Sequence, residues 1–161
     1  MSGNASHTDN SACFDATLTY YIDFVAKGAS ISGFPEWLPS ERVVEQRVID
    51  TLRKVFELNG FIGIETRAVE TGASLLKKGE TSKEIYLLSR LQEVGHESDT
   101  PIEDRLGLHF DLTVPLSRYV VEHSGALTFP FKRWQIQKVW RGERPQEGRF
   151  REFVQADIDV I

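Results

Sequence analysis

Two runs of alternating polar and apolar residues, 132–143 and 151–160, flank a short arginine-rich loop that contains Gly148. This spacing constrains the fold of the 161-residue chain more than any other feature. Alternation with a period of two is the mark of a half-buried strand, and two such runs around a turn predict an antiparallel hairpin. Arg133, Gln135, Gln137, Val139, Arg141 and Glu143 share one face of the first run, and Trp134, Ile136, Lys138 and Trp140 the other. In the second run Arg151, Phe153, Gln155, Asp157 and Asp159 oppose Glu152, Val154, Ala156, Ile158 and Val160. An apolar back with guanidinium, carboxylate and amide groups on the front reads as a ligand floor. Alternation alone fits a surface hairpin with a solvated charged face equally well.

The balance of charge narrows the ligand. The chain carries a net charge of −5, yet residues 132–151 hold seven Lys or Arg against two Glu, so the remainder sums to −10. A local basic patch on an acidic chain suits a phosphate-bearing ligand better than general nucleic-acid affinity; a solvated basic turn is the plainer reading. With 40% hydrophobic and 27% charged residues, the composition is that of a globular protein long enough to bury one core. Cys13 is the sole cysteine, which excludes an intrachain disulfide or a thiolate metal cluster and points to a cytoplasmic protein. No apolar run is long enough to span a bilayer, and the N-terminus lacks the pattern of a secretory signal. The four histidines have no metal-ligand spacing, so no metal site is expected. His109 reads as a polar strand residue near the candidate site.

Residues 1–27 read as a disordered or non-homologous tail, and residues 28–161 as the folded portion. A helix is expected from Ser40, as N-cap, to about Leu58, with Val44, Val48, Leu52, Val55 and Phe56 at helical spacing and Asn59-Gly60 as its stop. A strand over 61–69 follows, with Ile62, Ile64 and Thr66 on one face. Residues 70–84 read as a polar loop, 85–88 as a short strand and 92–104 as a surface excursion. Over 106–113, Leu106, Leu108, Phe110 and Leu112 alternate with Gly107, His109, Asp111 and Thr113, the latter facing the site. Pro115 opens a helix that Ser124-Gly125 ends.

Arg141-Gly142-Glu143, the loop, and Gly148-Arg149-Phe150-Arg151-Glu152-Phe153 resemble motif 2 of the class II aminoacyl-tRNA synthetases. The wording RGERPQEGRFREFVQADIDVI is similar to the histidyl branch of that family, and His109 to Pro115 resembles its amino-acid-binding strand. With SGFPEWLP (residues 32–39) and the helix and strand after it, the resemblance covers about 28–161. It implies an α+β fold, an antiparallel sheet flanked by helices, incomplete in this chain, which would hold motifs 1 and 2 of a catalytic domain. Motif 3, the imidazole-reading segment and an anticodon-binding domain would lie downstream.

The implied activity joins L-histidine to ATP, accompanied by Mg²⁺, as histidyl-adenylate, and passes it to the acceptor end of tRNA(His). No protein-bound metal or organic cofactor is implied. Adenylation brings two anions together, so it needs a positioned cation more than a protein nucleophile. The resemblance gives that role to Arg141, as catalytic residue and as contact to both ATP and histidine. It gives the adenine amino group to Glu143, the terminal phosphates to Arg149 and stacking on adenine to Phe153. Asp111, Leu112, Thr113, Gln155 and Asp159 would bind histidine, with Asp at 111 and 159 where the family often has Glu. Residues 144–147 could touch tRNA phosphates. The helix and strand of motif 1 imply a homodimer, although Arg67 replaces the usual proline. Two other readings remain: a regulatory paralogue such as the ATP-phosphoribosyltransferase regulatory subunit, and an inert fragment that pairs through motif 1.

Overall fold

A computed structural model describes residues 30–77, 83–93 and 100–161. The expected tail over 1–27 and parts of the expected loops, 78–82 and 94–99, lie outside them. The first helix, α1, spans Pro39–Leu58 and starts ahead of the expected Ser40 cap. Leu38 occupies the cap position, Pro39 takes the first turn where its missing N–H costs nothing, and Glu41 Oε2 accepts the Leu38 N–H at 2.9 Å. Its far end follows expectation. Gly60 adopts φ +76°, Asn59 Nδ2 donates to the Val55 carbonyl at 2.8 Å, and Phe61 N–H to the Phe56 carbonyl at 3.1 Å.

The strand expected over 61–69 is reduced to β1, Ile62–Gly63, which pairs with β4, Lys132–Trp140. That pairing is parallel, Ile62 opposite Arg133 and Gly63 opposite Trp134, so this sheet is mixed. Beyond Ile64 side chains replace the backbone ladder. Gln135 Nε2 donates to Thr66 Oγ1 at 2.8 Å, Gln137 Nε2 to the Thr66 carbonyl at 2.6 Å, and Thr66 N–H to Gln137 Oε1 at 3.3 Å. Periodicity cannot announce such a substitution, because the residue pattern of a strand is kept while its hydrogen bonds are not.

A second sheet arises where a polar loop was expected. β2, Val69–Thr71, pairs antiparallel with β3, Leu106–Leu108, and α2, Gly72–Leu76, follows directly. Leu87 bridges to Gly107 on the other side of β3, in line with the short strand expected there. Gly107 has no room for a side chain: a Cβ would sit 2.8 Å from Leu75 and 2.9 Å from the Tyr86 carbonyl. The expected strand over 106–113 stops at Leu108. Leu112 turns to φ −100°, ψ −4°, and α3, Thr113–His123, starts two residues before Pro115 and ends at Ser124 as expected.

The hairpin follows the sequence closely. β4 pairs antiparallel with β5, Glu152–Val160, in the order β1-β4-β5, and Arg133, Gln135, Gln137 and Val139 stand opposite Asp159, Asp157, Gln155 and Phe153. Which face is covered differs from expectation. On the front, Arg133, Gln135 and Val139 are buried, whereas Trp134, Ile136 and Trp140 on the apolar back are only half-buried. The reason is α1. It lies across the back without burying any of its own residues, and leaves a cleft of about 820 Å³ lined by Ile49, Arg53, Trp134, Ile136, Trp140 and Val154. The core is Leu75, Phe110, Leu112, Leu116, Phe131 and Val139.

Candidate functional site

Arg141 stands one residue past the end of β4, held there by its N–H to the Arg151 carbonyl at 2.8 Å. Its Nε donates to the Phe110 carbonyl at 3.0 Å, and its Nη2 to Gln155 Oε1 at 3.3 Å. The guanidinium carbon lies 5.0 Å from the centre of the Phe153 ring, a cation–π distance. Two segments, one at Phe110 and one on the neighbouring strand of the hairpin, thus converge on one cation. Both oxygen partners are neutral, and among the described residues no carboxylate forms an ion pair with it.

Glu143 and Arg149 meet across the loop, Arg149 Nη1 to Glu143 Oε2 at 3.0 Å, while Arg151 Nε donates to the Glu143 carbonyl at 3.0 Å. Gln146 and Arg149 exchange backbone bonds of 3.2 and 2.9 Å around Gly148, whose φ of +73° suits glycine. Residues 32–33 brace this hairpin from outside. The Gly33 carbonyl accepts the Arg151 N–H at 2.7 Å, and a Cβ on Gly33 would meet the Arg151 side chain at 2.8 Å. Among the described residues no group of three or more His, Cys, Asp or Glu could hold a metal ion.

The expected histidine-binding residues divide. Gln155 is brought to Arg141 directly. Asp111, 4% exposed, lies one residue from the carbonyl that holds Arg141, and its Oδ1 accepts from the N–H groups of Thr113 and Val114 at 3.2 and 3.4 Å. Those are first-turn groups of α3, where a carboxylate is favoured. Thr113 is exposed at the start of that helix, and Leu112 is fully buried in the core. Asp159 lies four register positions beyond Gln155 on the same face and is ion-paired with Arg133. Burial pushes the Arg133 guanidinium below its usual range, against the opposing pull of Asp159 and Asp157. His109 is fully buried, with Nε2 2.7 Å from the Lys138 carbonyl and the ring centre 5.5 Å from that of Trp140. Since a carbonyl only accepts, Nε2 carries a proton.

Sequence reasoning missed three participants. The Phe110 carbonyl holds Arg141, and no side-chain pattern marks a backbone acceptor. Arg133 captures Asp159, a pairing visible once hairpin register is known. Asp157 accepts from Gln155 Nε2 at 2.9 Å, and its place on the front face was legible from alternation.

No protein-family model matches the sequence. Over 137 residues, 85% of the chain, it is 98% identical to the histidine–tRNA ligase of Bifidobacterium longum subsp. infantis, and it spans 29% of that protein's length. The crystal structure of histidyl-tRNA synthetase from Nostoc sp. superposes with a TM-score of 0.67 at 44% identity, covering 83% of this chain and 28% of that one. A Bacillus halodurans structure described as an ATP phosphoribosyltransferase regulatory subunit/histidyl-tRNA synthetase has the same TM-score at 19% identity, a likeness of fold alone.

Proposed function

We propose that this chain, which belongs to the histidyl-tRNA synthetase family by its likeness to the histidine–tRNA ligases, carries the motif 2 half of a site that activates L-histidine with ATP. The supporting observation is the state of Arg141: oriented by two neutral oxygens, bonded to the candidate amino-acid ligand Gln155, and free of ion pairs among the described residues. A guanidinium so placed keeps its full charge for an α-phosphate and an incoming carboxylate, and its planar fork suits both. Phe153 beneath it offers a ring for adenine. Glu143 and Arg149, a pair whose arginine is exposed and can exchange partners at little cost, serve the adenine amino group and the terminal phosphates.

Asp111, Thr113, Gln155 and Asp159 serve the amino acid, and Leu112 shapes the site from the core. Mg²⁺ arrives with ATP as part of the substrate, held by phosphates and water. The loop over 144–147 meets the acceptor end of tRNA(His), and the exposed apolar face of α1 pairs two copies in the cytoplasm. No described helix is long and apolar enough to cross a membrane.

The test is ATP–pyrophosphate exchange, with each amino acid in turn, by a full-length ligase carrying this segment. Exchange restricted to histidine is the expected result. Exchange with another amino acid, or with none, would overturn the assignment.

A further inference from the structure

We infer that Asp157 is a positioning residue for amino-acid selection: it fixes the Gln155 amide so that the carbonyl oxygen, and not the NH₂ group, faces the substrate ammonium. The inference rests on the reading of the site given above and adds a residue to it. Gln155 sits between two groups of opposite hydrogen-bonding character. Arg141 has donors only, and its Nη2 lies 3.3 Å from Gln155 Oε1; the Asp157 carboxylate has acceptors only, and its Oδ2 lies 2.9 Å from Gln155 Nε2. Turning the amide over would set NH₂ against guanidinium and carbonyl against carboxylate, replacing two hydrogen bonds with two repulsions. One orientation is therefore locked by chemistry.

Among the groups around Asp157, Arg133 also attracts it, a pull shared with Asp159. Gln135, its partner in register, spends both amide hydrogens on Thr66 and Gln137. Arg133 forms its ion pair with Asp159. An incoming ammonium needs acceptors, and Gln155 Oε1 retains a lone pair for it beside Arg141. A turned amide would present hydrogens to a cation and repel it. The lock thus acts chiefly on amino-acid binding, because Arg141 keeps its bond to the Phe110 carbonyl whichever way the amide turns.

Asp157→Asn tests this, since asparagine both donates and accepts and so permits either orientation of Gln155. In a full-length ligase carrying this segment, the variant should raise the KM for histidine about tenfold, the loss of one charge-assisted hydrogen bond. The KM for ATP should be unchanged and kcat should stay within about twofold. Asp157→Glu, which restores an acceptor-only group, should recover part of the loss. In a Gln155→Ala background, Asp157→Asn should cost nothing further, because there is no amide left to orient. An unchanged histidine KM, an equal effect with and without Gln155, or a joint rise in both KM values would overturn the inference. A parent enzyme without histidine-dependent exchange would instead overturn the activity on which it rests.

Discussion

Four arginines in this chain have been given four different tasks by their neighbours. Arg118 is held by Glu70 at 2.8 Å and Glu122 at 2.6 Å; burial alone would lower its pKa, and those hydrogen bonds, with the charges of the two carboxylates, together outweigh it and raise it. Arg133 neutralises Asp159, and Arg149 pairs with Glu143. Arg141 alone of these four is held only by neutral oxygens, which orient a cation without quenching it. Asp111 is fixed beside the site by α3, whose first N–H groups donate to one of its carboxylate oxygens. Asp111→Asn keeps an oxygen for that cap and loses the charge. In a full-length ligase carrying this segment it should weaken histidine binding on the order of tenfold and leave ATP binding within about twofold, as read by calorimetry. Equal losses for both ligands would place Asp111 outside the amino-acid site.

At the scale of elements, the β4–β5 hairpin bears the argument, and its back face adds a pH dependence. Glu152 accepts from Lys138 Nζ at 2.5 Å and from Trp140 Nε1 at 2.7 Å. Burial by itself would raise its pKa, and these bonds, with the Lys138 charge, outweigh it and hold it below the ordinary carboxylate value of 4.5. A carboxylate with a depressed folded pKa stabilises the fold fully above its unfolded value, and the contribution disappears as pH falls through the folded one. Glu152→Gln should therefore lower the urea midpoint of this chain at pH 7, with the gap closing below pH 4.5. A gap that stays constant into acid would remove Glu152 from the acid response. The hairpin was legible because its two-residue period runs through both strands. β1 was overread because Gln135 and Gln137 supply through side chains what a strand supplies through its backbone. β2 and α2, three and five residues long, were missed because so short an element completes too few periods to register.

At the scale of the molecule, the chain spans about 29% of the length of the ligases it matches. Along α1, Val44, Val48, Val55 and Leu58 recur at helical spacing and are 59%, 54%, 49% and 85% exposed. A contiguous apolar stripe of this kind marks an interface, and pairing of two copies through it is the proposal. In a full-length ligase, Val48→Asp should shift the species seen by light scattering from dimer to monomer. A dimer of undiminished stability would move the interface elsewhere.

The measurement that bears most directly on the central claim is histidine-dependent ATP–pyrophosphate exchange by Arg141→Ala against its parent, in a full-length ligase carrying this segment. If Arg141 is the cation on which phosphate and carboxylate meet, exchange should fall by about a hundredfold or more while the melting temperature stays within a few degrees. Exchange that persists at the parental rate would contradict the account.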